Sequence, residues 1–152
     1  MAHRAFTYLK YIMLLLIKLL IDCCLFILIW LVQVIIYPSF QFTSDEKLHS
    51  WHNKYQTLIS YFVLPLMLLQ LTISGYELIY NFNYPHLAHF LLVIAIWAST
   101  FFQAVPVHQN ISNQKEVISN VLQLVQVNKL RTFLWTIVFA LSFTEAYQNF
   151  II

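Results

Sequence analysis

Charge is the scarcest ingredient of this 152-residue chain. Asp, Glu, Lys and Arg together make up 9% of it, and glycine occurs once. A domain that meets water on all sides usually carries about 25% charged residues. A chain with 61% hydrophobic residues cannot cover such a surface, so a water-soluble globule is excluded. The net charge is +2 and no Arg/Lys-rich run occurs, which excludes nucleic acid as a partner. There are two cysteines, Cys23 and Cys24. They are adjacent, a spacing at which a mutual disulfide is strained, and they lie in an apolar run as small packing residues. A lipoprotein signal is excluded too, because Asp22 stands where a small neutral residue is required before Cys23. The apolar run is also longer than a signal-peptide core of about 7–15 residues. No internal repeat or low-complexity segment occurs.

Aromatic residues are plentiful, at 17%, and Trp and Tyr favour the two membrane interfaces. A helix needs about 20 apolar residues to cross the hydrocarbon core. Four segments qualify, at about 11–37, 52–80, 86–105 and 130–147. The expected fold is an all-α integral membrane four-helix bundle forming a single domain over 1–152. The first span is expected to stop at Pro38 and the third to end at Pro106, since proline cannot continue the helical ladder. Pro65 in the second span predicts a kink. Asn81 to Pro85 form a turn. Residues 113–126 read as a short amphipathic helix in the interface, with Asn113 and Glu116 as a capping box, or as the start of the fourth span. The lipid bilayer is then the main partner. A bacterial inner membrane is the expected location, and a homo-oligomer is compatible with so much lipid-facing helix.

Topology sorts the polar residues into two ends. Trp51-His52, His108, Asn128 and Arg131 all fall where spans two, three and four meet one face of the bundle. Gln33 and Gln103 lie about a turn below the ends of spans one and three, and both are expected to line the same vestibule. Imidazoles gathered there suit copper, iron or zinc, so His52 and His108 with His49 form a candidate metal site. As an alternative, His52 and His108 act as acid and base. Arg131 at membrane depth needs a counter-charge or a ligand and is suited to clamping an oxyanion, with Asn128 beside it. Tyr55 and Trp135 are candidate walls for a flat apolar ligand. No carboxylate belongs to this set, which disfavours a carboxylate-rich di-iron centre.

The opposite end collects Asp22, Glu77, His86, His89 and Glu145. Lys18 and Asp22 are four apart on one helix face. Lys18 is expected to snorkel to the interface, and Asp22 must find a partner or stay protonated. His86 and His89 with Asp22 form a second candidate cluster able to relay protons. Glu77, His86 and Glu145 are expected at or beyond the headgroups. Interior Gln70, Thr72, Ser99, Thr100, Thr132, Thr136 and Ser142 read as inter-helix hydrogen-bonding residues.

Several short motifs carry a resemblance. They are Tyr37-Pro38, Trp51-His52 with Tyr55, Pro65 to Gln70, Val105-Pro106-Val107-His108, and Asn128 with Arg131-Thr132 and Trp135-Thr136. Over about Gln33 to Thr136 the chain resembles a family of small bacterial four-helix membrane proteins, distantly similar to the anthrone-oxygenase-like membrane group. The resemblance implies a hydroxyaromatic or lipid-soluble substrate oxidised at the membrane, with His52, His108, Asn128 and Arg131 as the matching positions. Copper, iron or haem are the cofactors such oxidation would call on. A non-catalytic ligand- or metal-binding or transport module, or a subunit of a larger membrane complex, remains the alternative. Lys18, Asp22 and the cysteine pair depart from the family pattern.

Overall fold

The computed structural model describes residues 2–43, 45–113 and 117–151, and every element in it is helical. Four long helices form the molecule: α1 (residues 2–42), α2 (Asp45–Tyr80), α3 (residues 84–112) and α4 (Val117–Ile151). Each contains a stretch long and apolar enough to cross a membrane. Helix α1 packs on α2 and α4, and α3 packs on the same two, so the four close into an antiparallel bundle. Between the ends lies an apolar layer of Ile21, Leu25, Ile29, Met67, Ile96 and Val138. Outward faces carry large apolar side chains such as Leu20, Val34 and Ile79.

Two expected helix ends are not ends. Helix α1 continues past Pro38 to Phe42, and α3 continues past Pro106 to Ser112. A proline ring collides with the carbonyl four residues earlier and offers no N–H to it. Both helices meet this with a π turn placed just before the proline, Val32–Ile36 in α1 and Thr100–Ala104 in α3. The Tyr37 N–H donates to the Val32 carbonyl and the Val105 N–H to the Thr100 carbonyl, each five residues back. The widened turn makes room for the ring, and such π bulges recur at functional sites. Here they carry Tyr37 and His108 onto the inner face. Helix α2 runs unbroken through Pro65.

His49 lies in the first turns of α2. Of the two readings of 113–126, the continuous one is formed: α4 begins at Val117, and Val121 and Leu124 are buried in the core with Tyr37, Leu48 and Ile111. Glu116 of the expected capping box lies outside the described residues. At the α2–α3 turn, Asn83 caps α3 by accepting from the His86 N–H at 2.7 Å, and Pro85 occupies the first turn, where its missing donor costs nothing.

Lys18 does not snorkel. Its side chain turns into the bundle and is 3% exposed. Glu77 and His86 are likewise buried inside the bundle. A lysine stem follows whichever direction satisfies its charge, and two carboxylates on α2 and α4 lie inward of it.

Candidate functional site

Helices α1, α2 and α3 each place an aromatic ring or imidazole at the end of the bundle where Tyr37, His52 and His108 meet. The Tyr37 hydroxyl lies 3.0 Å from His108 Nε2, and His108 Nδ1 lies 2.9 Å from His52 Nε2. The Ser112 hydroxyl is 2.7 Å from Asn53 Oδ1 and, at 3.5 Å, touches His52 Nδ1. These contacts fix the protons. The Asn53 amide nitrogen is turned to His49 Nε2, so its oxygen faces Ser112 at 2.7 Å, with Gln56 Oε1 at 3.2 Å, and the single hydroxyl proton goes to these acceptors. In the long contact His52 Nδ1–H is then the donor, which leaves His52 Nε2 bare to accept from His108 Nδ1–H. His108 Nε2 in turn accepts from the Tyr37 hydroxyl. Hydrogen bonds therefore run in one direction from Tyr37 to Asn53, the arrangement along which a proton is passed by successive shifts.

The same geometry bears on the metal reading. Both nitrogens of His108 are hydrogen-bonded, one to tyrosine and one to histidine. His49 is held by Asn53 and does not join the pair. Among the described residues, the one group of three metal-type donors within coordinating reach of each other is Glu77, His86 and Glu145, at the far end. Around His52 and His108 no third His, Cys, Asp or Glu donor among the described residues completes such a set.

Arg131 comes from α4. Its Nη1 donates to Asn128 Oδ1 at 3.2 Å, and Asn128 Nδ2 donates to Gln33 Oε1 at 3.0 Å. The guanidinium lies 5.3 Å from the centre of the Trp135 ring, within cation–π range. Arg131 is 7% exposed, and among the described residues it forms no ion pair. Its Nε and the indole Nε1 of Trp135 are both buried donors without a protein acceptor.

Both residues line a cavity of about 320 Å³ between α2 and α3. The walls are apolar, with Ile59, Val63, Met67 and Ala104, and one end is polar, with Tyr37, Tyr55, His108 and Arg131. Leu64 and Phe101 line it as well and are exposed on the outside of the bundle, so the cavity opens sideways through the apolar belt.

Tyr55, His108, Arg131 and Trp135 line this cavity, His52 joins through His108, and Gln33, which lines a separate groove, joins only through Asn128, so most of the predicted vestibule meets there. Gln103 does not. It is exposed, accepts a hydrogen bond from Ser99 at 2.8 Å, and faces a separate groove with Pro106 and Gln126. The π turn on which it sits rotates the helix away from the 3.6-residue phase used to place it. Tyr37 joins the site beyond the expected set; the signal for it in the sequence is an aromatic residue directly before the proline near a helix end.

The second cluster is also assembled, more fully than its three named members. It forms two layers, each drawing on all four helices. The deeper holds Asp22, Gln70 with Ser74, His89 and Ser142, and the outer holds Lys18, Glu77, His86 and Glu145. Asp22 accepts from Gln70 Nε2 at 2.7 Å, from His89 Nε2 at 3.0 Å and from the Ser142 hydroxyl. Gln70 and Ser142 thus act between helices as expected. Thr136 does too, accepting from the Trp30 indole at 3.2 Å, whereas Thr72 bonds a carbonyl of its own helix. Lys18 Nζ lies 2.7 Å from Glu77 and 2.6 Å from Glu145. The ammonium occupies the place between the carboxylates that a divalent ion would need, so this donor group is already filled by a cation of the chain itself.

Comparison with protein-family profiles, with curated proteins and with solved structures finds no match to this chain.

Proposed function

We propose that this chain is an integral membrane protein that binds an apolar small molecule ending in an acidic or phenolic oxygen, held in the cleft between α2 and α3. The supporting observation is the pair of buried, unsatisfied donors, Arg131 Nε and Trp135 Nε1, at the polar end of an otherwise apolar cavity. A buried donor without a partner costs about 1–3 kcal/mol, and more when it is charged. A buried guanidinium without a counter-charge is costlier still at membrane depth. A ligand oxygen between the two would remove both costs. The lateral opening suits a molecule that arrives dissolved in lipid. The four apolar spans with their apolar outer faces support insertion in a membrane, and the inner membrane of a bacterium is the proposed location. The first turns of α4 would then lie at the interface.

The chemistry these residues supply is proton transfer. A phenol seated against Arg131 is polarised toward its anion, and its proton has a route through the Tyr37 hydroxyl and His108 to His52 and the polar end of the bundle. This is the first step that a hydroxyaromatic oxidoreductase of the kind implied by the resemblance would need. The electron acceptor would come from outside the chain.

Radiolabelled 1-naphthol and naphthalene, measured against the protein in lipid nanodiscs and against empty nanodiscs, test this reading. Saturable binding of 1-naphthol, one per chain and at least tenfold tighter than naphthalene, is expected. Equal partitioning of both compounds into loaded and empty discs would contradict it.

A further inference from the structure

The far end of the bundle has no part in the proposed ligand site, yet it gathers six ionisable side chains, five of them buried and Glu145 partly so. Its hydrogen bonds cannot all be made with the usual number of protons. His86 Nδ1 lies 2.7 Å from the backbone carbonyl of Asn81. A carbonyl only accepts, so Nδ1 carries a proton. The other ring nitrogen, Nε2, lies 2.9 Å from Glu145 Oε1. In a neutral imidazole that Nε2 would be bare, and it would face a carboxylate oxygen that is also bare. Two lone pairs do not hold each other at that distance. One more proton must lie between them, on Nε2 or on Oε1.

Charge points the same way. Asp22, Glu77 and Glu145 bring three potential negative charges, and Lys18 brings one positive charge. The other groups facing them are the Tyr11 hydroxyl beside Glu145, the amide of Gln70, the hydroxyls of Ser74 and Ser142, and the two imidazoles. No arginine and no second lysine is among the described residues in contact. An excess of buried negative charge is costly in a low-dielectric interior, and a proton at His86–Glu145 reduces it. His89 makes no such demand. Its Nε2–H donates to Asp22, and its Nδ1 accepts from the Ser74 hydroxyl at 2.9 Å, so a neutral ring satisfies both.

We propose that the His86–Glu145 pair is a proton-binding site, with Lys18 as its fixed counter-ion and Asn81 setting the orientation of the imidazole. Glu145 is 17% exposed, against 2% for Glu77, and is the member through which the proton exchanges with water. The apolar layer of Ile21, Leu25, Met67 and Ile96 closes the inner side, so the site takes up and releases its proton from one end of the bundle. This inference does not depend on the ligand site at the other end.

Two spectra of the full chain in nanodiscs at pH 7 decide it. In ¹⁵N spectra of histidine-labelled protein, assigned with a His86→Gln variant, His86 is expected to have both nitrogens protonated. If the proton rests on the oxygen instead, the infrared spectrum has a carboxylic-acid C=O band that shifts in D₂O and disappears in Glu145→Gln. Either result supports the site. In Glu145→Gln the amide can donate to Nε2, and His86 is expected to revert to a neutral ring protonated at Nδ1 alone. A wild-type His86 that is already neutral, together with no acid band removed by Glu145→Gln, would overturn the proposal.

Discussion

Lys18→Met is expected to lower the unfolding free energy by about 3–5 kcal/mol, because breaking a buried ion cluster by removing one partner leaves the others uncompensated. The Nζ touches Glu77 and Glu145 at hydrogen-bond distance, and both it and Glu77 are almost wholly buried. Methionine fills much of the same volume but leaves two carboxylates facing each other without their cation. Equilibrium unfolding in detergent by thermal or SDS titration measures the loss. Restoration is expected in the triple variant Lys18→Met, Glu77→Gln, Glu145→Gln, since replacing all charged partners at once is often neutral. Lys10 is exposed and only overlies the Phe6 ring, so Lys10→Met should stay within about 0.5 kcal/mol of wild type. A Lys18→Met loss no larger than that of Lys10→Met would contradict the inward-turned cluster.

The second large effect belongs to Arg131 and has the opposite stability signature. Hydrogen bonds to charged groups contribute about 1.5–3 kcal/mol, so Arg131→Met should weaken 1-naphthol binding by roughly 10–100-fold, at about 1.4 kcal/mol per factor of ten. The same substitution removes a buried charge that has no counter-ion among the described residues. It should therefore leave unfolding stability within about 1 kcal/mol of wild type, the lost bonds to Asn128 and the Tyr37 hydroxyl being offset by the relieved desolvation. An arginine serving only the fold would behave the other way round, with stability falling and binding unchanged. Arg131→Lys separates charge from shape. A lysine supplies a compact charge in place of the planar donor fork, and an intermediate affinity is expected.

These two residues also mark how far the sequence could be read. Arg131 was placed correctly because its position at the start of an apolar span fixes its end of the bundle, and His52 and His108 followed by the same topology. Lys18 was not, because its spacing from Asp22 is the same whether the chain turns to the headgroups or to the core. Only the rotation of α1 against α2 and α4 decides between them, and that rotation is set by packing far along the chain. Gln103 failed for a different reason. Counting by 3.6 residues assumes an unbroken α-helix, and the π turn ahead of Pro106 adds a residue to the count. The same device made Pro38 and Pro106 look like ends when they are places where the helix widens and goes on. The His86 proton was beyond any pattern in the sequence, since it depends on a backbone carbonyl at Asn81 and a carboxylate on α4 facing opposite nitrogens of one ring.

The ligand cleft can be tested most directly by photo-crosslinking with 4-hydroxybenzophenone, an apolar molecule with a phenol at one end and a photoreactive ketone. Irradiated with the protein in nanodiscs and mapped by mass spectrometry, it should label cavity walls such as Ile59, Val63 and Met67. The labelling should be abolished by excess 1-naphthol and strongly reduced in Arg131→Met. Labels spread over outward-facing residues such as Phe62 and Leu91, insensitive to 1-naphthol, would show that the molecule resides in the surrounding lipid and not between α2 and α3.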